Sequence, residues 1–204
     1  MKSRNIKIKT ISTALLVVIF ALAITSCQKS DYTSIAADNA AVEAKIKAPD
    51  VPAIIAVPAG NKVLWRAFAT GTQIYKVTQS TTDPTVYLWS FVAPSATLYS
   101  NSGLTNAIGL HYIGPTWSCT TGPDAGKFVI GVKLQGITQD VTAVPWLLLQ
   151  SVPNSDPNYF TRITYIQRIN TTGGLAPTTG ADAAHLGEQV EIPYTATYYF
   201  YGAN

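Results

Sequence analysis

From Pro52 to the C-terminus apolar and polar residues alternate or come in short bursts, with no sustained 3.6-residue period over a dozen positions. Residues 63–68 form an apolar run closed by Thr70-Gly71, and residues 73–77 follow, which predicts two strands joined by a hairpin. Residues 86–91 read as a strand opened by Asp83-Pro84 and stopped by Pro94. Phe128, Ile130, Val132 and Leu134 alternate with Val129, Gly131, Lys133 and Gln135, a period of two with one polar-leaning face. Residues 146–149 are apolar on both faces and predict a central strand. Residues 160–169 and 195–201 complete the set. Short strands with Gly and Pro in the gaps imply one all-β domain over 51–204, a sandwich or barrel. The turn-rich stretches 113–126, 151–158 and 171–187 are where a rigid β scaffold would carry function.

The N-terminus breaks this pattern. Lys2, Arg4, Lys7 and Lys9 precede an apolar stretch over 11–24 and then Thr25-Ser26-Cys27, the layout of a secretory signal. The stretch is short for a membrane-spanning helix, which needs about 20 apolar residues. Ile24-Thr25-Ser26-Cys27 resembles a bacterial lipobox, which implies cleavage after residue 26 and lipidation of Cys27. An ordinary cleaved signal with an incidental Cys is the alternative. Acyl chains on Cys27 would make the membrane a partner, since each buried methylene contributes about 0.8 kcal/mol. The expected organisation is a signal peptide over 1–26, a lipidated Cys and flexible tether over 27–50, and the β-domain. The expected location is the bacterial cell envelope at the outer membrane, because Gln28 and not Asp follows Cys27; the side of that membrane stays open.

Charge changes meaning once the leader is set apart. The whole chain is +3, but the leader holds four of 14 basic residues and none of 11 acidic ones. A chain starting at Cys27 is therefore −1, with no Lys/Arg cluster to serve as a nucleic-acid footprint. Cys119 is then the lone thiol and reads as a small half-buried side chain.

Six phrases stand in order along the domain: 57–60 (VPAG), 71–75 (GTQIY), 111–117 (HYIGPTW), 144–149 (VPWLLL), 165–174 (YIQRINTTGG) and 193–201 (PYTATYYFY). Together they resemble the secreted bacterial and fungal proteins called domain of unknown function 3455. The resemblance spans about 57–201 and implies export and a compact domain with no established activity. Some fungal relatives carry a malate dehydrogenase label. This chain has no Gly-x-Gly-x-x-Gly behind a strand and no βαβ pattern, so the residues give that label no support.

Few residues can do acid–base chemistry. His111 precedes the Gly114-Pro115 turn, which could present it with Tyr112 and Trp117 on one rim. It is the candidate general base, with Asp124 as its orienting partner. The alternative is a histidine satisfied by backbone groups at a strand end. Trp117 is placed in a loop, whereas Trp65, Trp89 and Trp146 are expected in the core. Arg66, Gln73, Gln167, Arg168 and Asn170 lie in or beside strands of low charge. Arg66 and Arg168 either pair with acids or carbonyls or bind an anion in a barrel mouth. His185 with Asp182 or Glu188 falls short of a demanded metal site, and no cofactor or metal is expected. No Gly-x-Ser-x-Gly elbow appears. The expected function is a binding module of the envelope. Its small-molecule site would lie near His111, Tyr112, Trp117, Arg66 and Arg168. A hydrolase or isomerase using His111, and a purely structural surface protein, remain as alternatives.

Overall fold

The computed structural model describes residues 46–204. The expected signal peptide, Cys27 and the tether up to residue 45 lie outside the described residues. Eight strands run in order: β1 (Asn61–Gln79), β2 (Tyr87–Tyr99), β3 (Ala107–Tyr112), β4 (Thr116–Cys119), β5 (Phe128–Ile137), β6 (Trp146–Ser151), β7 (Tyr165–Gly173) and β8 (Gln189–Ala203). Each pairs antiparallel with its neighbour in sequence, and β8 returns to pair with β1. Of the two all-β architectures the pattern allowed, the chain takes the closed barrel. Closure leaves no free sheet edge.

Lateral pairing decides which side chains point inward. Gly71 faces Ala96, Ala96 faces His111, His111 faces Trp117, and Trp117 faces Val129. On the other side Leu147 faces Arg168, Arg168 faces Tyr198, and Tyr198 faces Ala67. One wall is thus built of small residues: Ala67, Ala69, Gly71, Ala96 and Gly109. The space they leave is filled by Trp117, Tyr198, Phe200 and Leu98, all nearly sealed from solvent. An eight-stranded barrel has room for its own side chains or for one small ligand.

A second apolar layer lies outside the barrel. Val63, Leu148, Ile169, Tyr199 and Tyr201 gather around Ile55, with Ile46, Val51 and Val57 packed against them. Residues 46–57, which include a 3-10 turn at Ala53–Ile55, form a strap over this face. Gln167 reaches up from β7 to donate to the Ile55 carbonyl at 2.7 Å, and the Tyr201 hydroxyl donates to its side-chain oxygen. The buried amide of Gln167 is the fastener for the strap.

Several sequence expectations are corrected. Thr70-Gly71 is no turn, because β1 runs unbroken through it. A Cβ on Gly71 would sit 2.1 Å from the Ser95 carbonyl oxygen, so glycine is needed for close strand approach and not for a bend. Pro94 does not end β2. It lies opposite Gln73, while β3 pairs with β2 only from Ala96 onward, so a residue without an N–H is tolerated there. Trp117 is not in a loop but in the four-residue β4. Residues 160–164 are irregular, with a turn at Thr161 and Arg162, and β7 begins only at Tyr165. Trp65 is half-buried and packs against the core, stacked on Phe200 with centroids 3.7 Å apart. Trp89 is only half-buried and donates from Nε1 to the Thr179 carbonyl at 2.8 Å, pinning the β7–β8 loop. Trp146 is likewise half-buried, under the strap and outside the barrel core.

Candidate functional site

Up-and-down topology brings one set of connections together at one end of the barrel: β1–β2, β3–β4, β5–β6 and β7–β8. Below them opens a cavity of about 740 Å³. Gln73 and Tyr75 come from β1, Phe91 and Pro94 from β2, and His111, Gly114, Pro115 and Trp117 from the β3–β4 hairpin. Gly131, Val132 and Lys133 come from β5, Val144 and Pro145 from the loop before β6, Leu147 and Leu149 from β6, Arg168 from β7 and Tyr198 from β8. The volume lies in the usual range for small-molecule sites, roughly 300–1,000 Å³.

Five of the six phrases that carry the family resemblance supply this lining, and only 57–60 does not. The backbone around them is shaped for the purpose. Gly173 and Gly174 both have positive φ, and a Cβ on Gly174 would sit 2.8 Å from that of Tyr194 and 3.0 Å from Gln73 Cγ. The Gly174 carbonyl accepts from the Tyr75 hydroxyl at 2.7 Å. The Thr171 hydroxyl donates to the Val144 carbonyl, and Val144 N–H donates to Gly173. These bonds fold the end of β7 over the start of β6.

His111 sits inside, its ring stacked on Trp117 with centroids 4.4 Å apart and edge-on to Tyr198 at 5.1 Å. Nδ1 lies 2.8 Å from the Thr116 carbonyl. A carbonyl only accepts, so Nδ1 carries the proton and Nε2 is left as an acceptor. Burial holds the His111 pKa down to about 3; the charge of Arg168 adds to this and the Thr116 carbonyl opposes it. The ring is neutral at physiological pH. Burial likewise raises the Tyr75, Tyr194 and Tyr198 hydroxyls above the usual phenol range, with Arg168 opposing in each case.

Arg168 donates from Nε and Nη2 to the Pro145 carbonyl, at 3.1 and 2.9 Å. Among the described residues no carboxylate lies within ion-pair reach of it. The charged groups on the lining are Arg168 and Lys133, both cationic. Two further donors are stranded. Gln73 Nε2 and Trp117 Nε1 are buried with no hydrogen-bond partner. Gln73, His111 and Trp117 are each only 2% exposed. A buried unpaired donor costs about 1–3 kcal/mol, so each such group in a folded chain asks for an explanation.

Three expected site residues therefore converge: His111, Trp117 and Arg168. Two do not. Tyr112 follows His111 in β3, faces the other way and is 40% exposed. Arg66 lies away from the cavity, its guanidinium 4.7 Å above the Phe68 ring and 5.9 Å from Tyr199. Asp124 is not the partner of His111; it pairs with Lys127 at 2.8 Å and Arg162 at 3.7 Å. His185 bonds Asp182 at 2.6 Å on the surface, and no group of three or more potential ligands for a metal occurs among the described residues. Cys119 is half-buried, its pKa raised by burial and by Asp124. Sequence reasoning missed Tyr75 and Tyr198 as lining groups. The signal for Tyr198 was the inward set Tyr194, Ala196, Tyr198 and Phe200, masked because Tyr199 and Tyr201 on the other face are also buried.

Comparison with known proteins adds a family. A family model described as a protein of unknown function, DUF3455, matches residues 58–202. No curated protein and no solved structure matches the chain.

Proposed function

The chain belongs to the DUF3455 family of proteins of unknown function, and on that premise we propose that it is an exported, lipid-anchored protein of the bacterial cell envelope whose barrel binds a small molecule. The observation that carries this reading is the convergence of His111, Trp117 and Arg168 on one cavity whose lining offers Arg168 no carboxylate. Mostly apolar walls with a few fixed polar groups are the usual make-up of a ligand pocket. A purely structural role leaves the open volume and the stranded N–H groups without purpose. The direct test is mass spectrometry of small molecules that co-purify with the chain. His111→Ala should alter the thermal shifts given by a metabolite panel; unchanged shifts would remove His111 from the site.

Proton transfer by His111, as in a hydrolase or isomerase, has weaker support. A general base works best with a pKa near the working pH. His111 titrates at about 3, and its one hydrogen-bond partner is a carbonyl. The ring is better suited to accept a hydrogen bond from a ligand through Nε2 and to present a flat face.

The anchor rests on the lipobox-like Ile24-Thr25-Ser26-Cys27 and the basic leader before it. Cys27→Ser should abolish labelling by a radioactive fatty acid and move the protein from the membrane to the soluble fraction of the envelope. Labelling that survives the substitution would rule out Cys27 as the attachment point.

A further inference from the structure

We propose that the ligand is an organic carboxylate, a single anionic head on an apolar and partly flat body. The inference rests on the reading of the barrel cavity as a ligand site and specifies its chemistry.

The polar lining is one-sided. Arg168 gives two of its five hydrogens to the Pro145 carbonyl and has the Tyr198 hydroxyl as a neighbour, Gln73 Nε2 has only the Tyr194 hydroxyl near it and makes no hydrogen bond of good geometry, and Trp117 Nε1 has no partner. These are three donor groups on one cavity, and the lining holds no carboxylate to answer them. A cation would meet Arg168 and Lys133 with nothing to neutralise it. A neutral polyol would find acceptors in the Gln73 amide oxygen, the tyrosine hydroxyls and His111, but it would leave the Arg168 charge unanswered. An anion answers the Arg168 guanidinium, the half-buried cation on the lining.

The head carries a single charge. One guanidinium lies in the chamber, and the other cation, Lys133, is exposed. The guanidinium fork matches the two oxygens of a planar carboxylate, and Pro145 holds that fork in place through two of its hydrogens. The remaining wall is apolar: Phe91, Pro94, Pro115, Leu147 and Leu149, with the Tyr198 ring across from them. Such walls disfavour a small inorganic anion, which would keep its hydration shell, and favour an apolar body attached to the charge.

Calorimetric titration of the whole chain with benzoate, 2-naphthoate and octanoate, each against its amide, tests the inference without a variant. At neutral pH the carboxylates should bind about tenfold or more tighter than the amides, the ratio expected for hydrogen bonds made to a charged partner. Arg168→Met should erase the preference by bringing the carboxylates down to the level of the amides. Arg168→Lys, which keeps the charge without the fork and guards against a folding defect, should retain part of it. Gln73→Met should weaken the carboxylates several-fold. If amides and carboxylates bind equally, the anionic head is wrong while the cavity remains a ligand site. If neither series binds and a neutral apolar dye such as Nile red is also excluded, both the inference and the ligand-site reading fall.

Discussion

His111 lies flat against Trp117, ring planes 9° from parallel, both buried and brought side by side by the register of β3 on β4. The stack carries a pH dependence whose sign is fixed. The folded pKa of about 3 lies below the ordinary imidazole value of 6.5. The unfolded chain therefore takes up a proton on this ring below about pH 6.5 while the folded chain resists. The stability contributed by the neutral ring is full above pH 6.5 and is lost as the pH falls toward 3. The loss is at most about 1.4 kcal/mol per pH unit. Thermal unfolding between pH 7 and 4 should show this slope, and His111→Phe, which keeps a flat ring without a titrating nitrogen, should flatten it. Equal slopes in the two proteins would mean that His111 is protonated in the fold. His185 acts in the opposite sense, its pKa raised by the Asp182 bond, but it lies at the surface and contributes little.

Gly71→Ala and Gly103→Ala should differ in sign. A Cβ at 71 would meet the Ser95 carbonyl at 2.1 Å and the Ala96 Cβ at 2.7 Å, so β1 and β2 must part. The expected cost is about 1–3 kcal/mol or more. At 103 the nearest atom is 3.5 Å away, and alanine should be neutral or slightly stabilising. Denaturant midpoints of the two variants decide it; a harmless Gly71→Ala would argue against this strand spacing.

Gln73→Met should leave the ligand-free protein as stable as before, or more so. The substitution removes a buried amide with no partner for its N–H and keeps the volume. A loss above about 2 kcal/mol on urea unfolding would show that the amide is satisfied in the native protein and is no stored ligand contact.

Gln167→Leu should loosen the strap. The change leaves the Ile55 carbonyl and the Tyr201 hydroxyl without their partner under an apolar layer. About 1–3 kcal/mol should be lost for each group left unsatisfied. Amide exchange at residues 51–57 should rise ahead of that in β8, and protease should cut there first. Unchanged exchange in 51–57 would mean that apolar packing alone holds the strap.

The legible parts of the molecule were those written in local pattern. Alternation at 128–135 marked β5 as a strand but pointed to the wrong face: Val129 and Gly131, from the polar-leaning set, are buried against the barrel core, while Val132 and Leu134 are exposed. The Gly114-Pro115 turn was visible because its residues bend the chain at that spot. Gly71 misled because a glycine that lets strands approach looks in sequence like a glycine that turns. Trp117 misled because four residues of β4 are too few to display a period. His111, Arg168 and the tryptophans were noticed as unusual, but nothing local distinguished Arg168, which lines the cavity, from Arg66, which stacks on outer rings.

The chain alone thus determined its β character, its family, and the scarcity of acid–base groups, because each is a property of composition or of short ordered phrases. Tertiary structure decided that the sheet closes, that the strap covers Gln167, and that residues from β1, β4 and β7 line one chamber that holds a guanidinium and no carboxylate. Those outcomes depend on strand register. A shift of one residue turns a side chain from the interior to the solvent, and register is settled by pairing between segments as distant in sequence as Asn61 and Ala203, where no local pattern reaches.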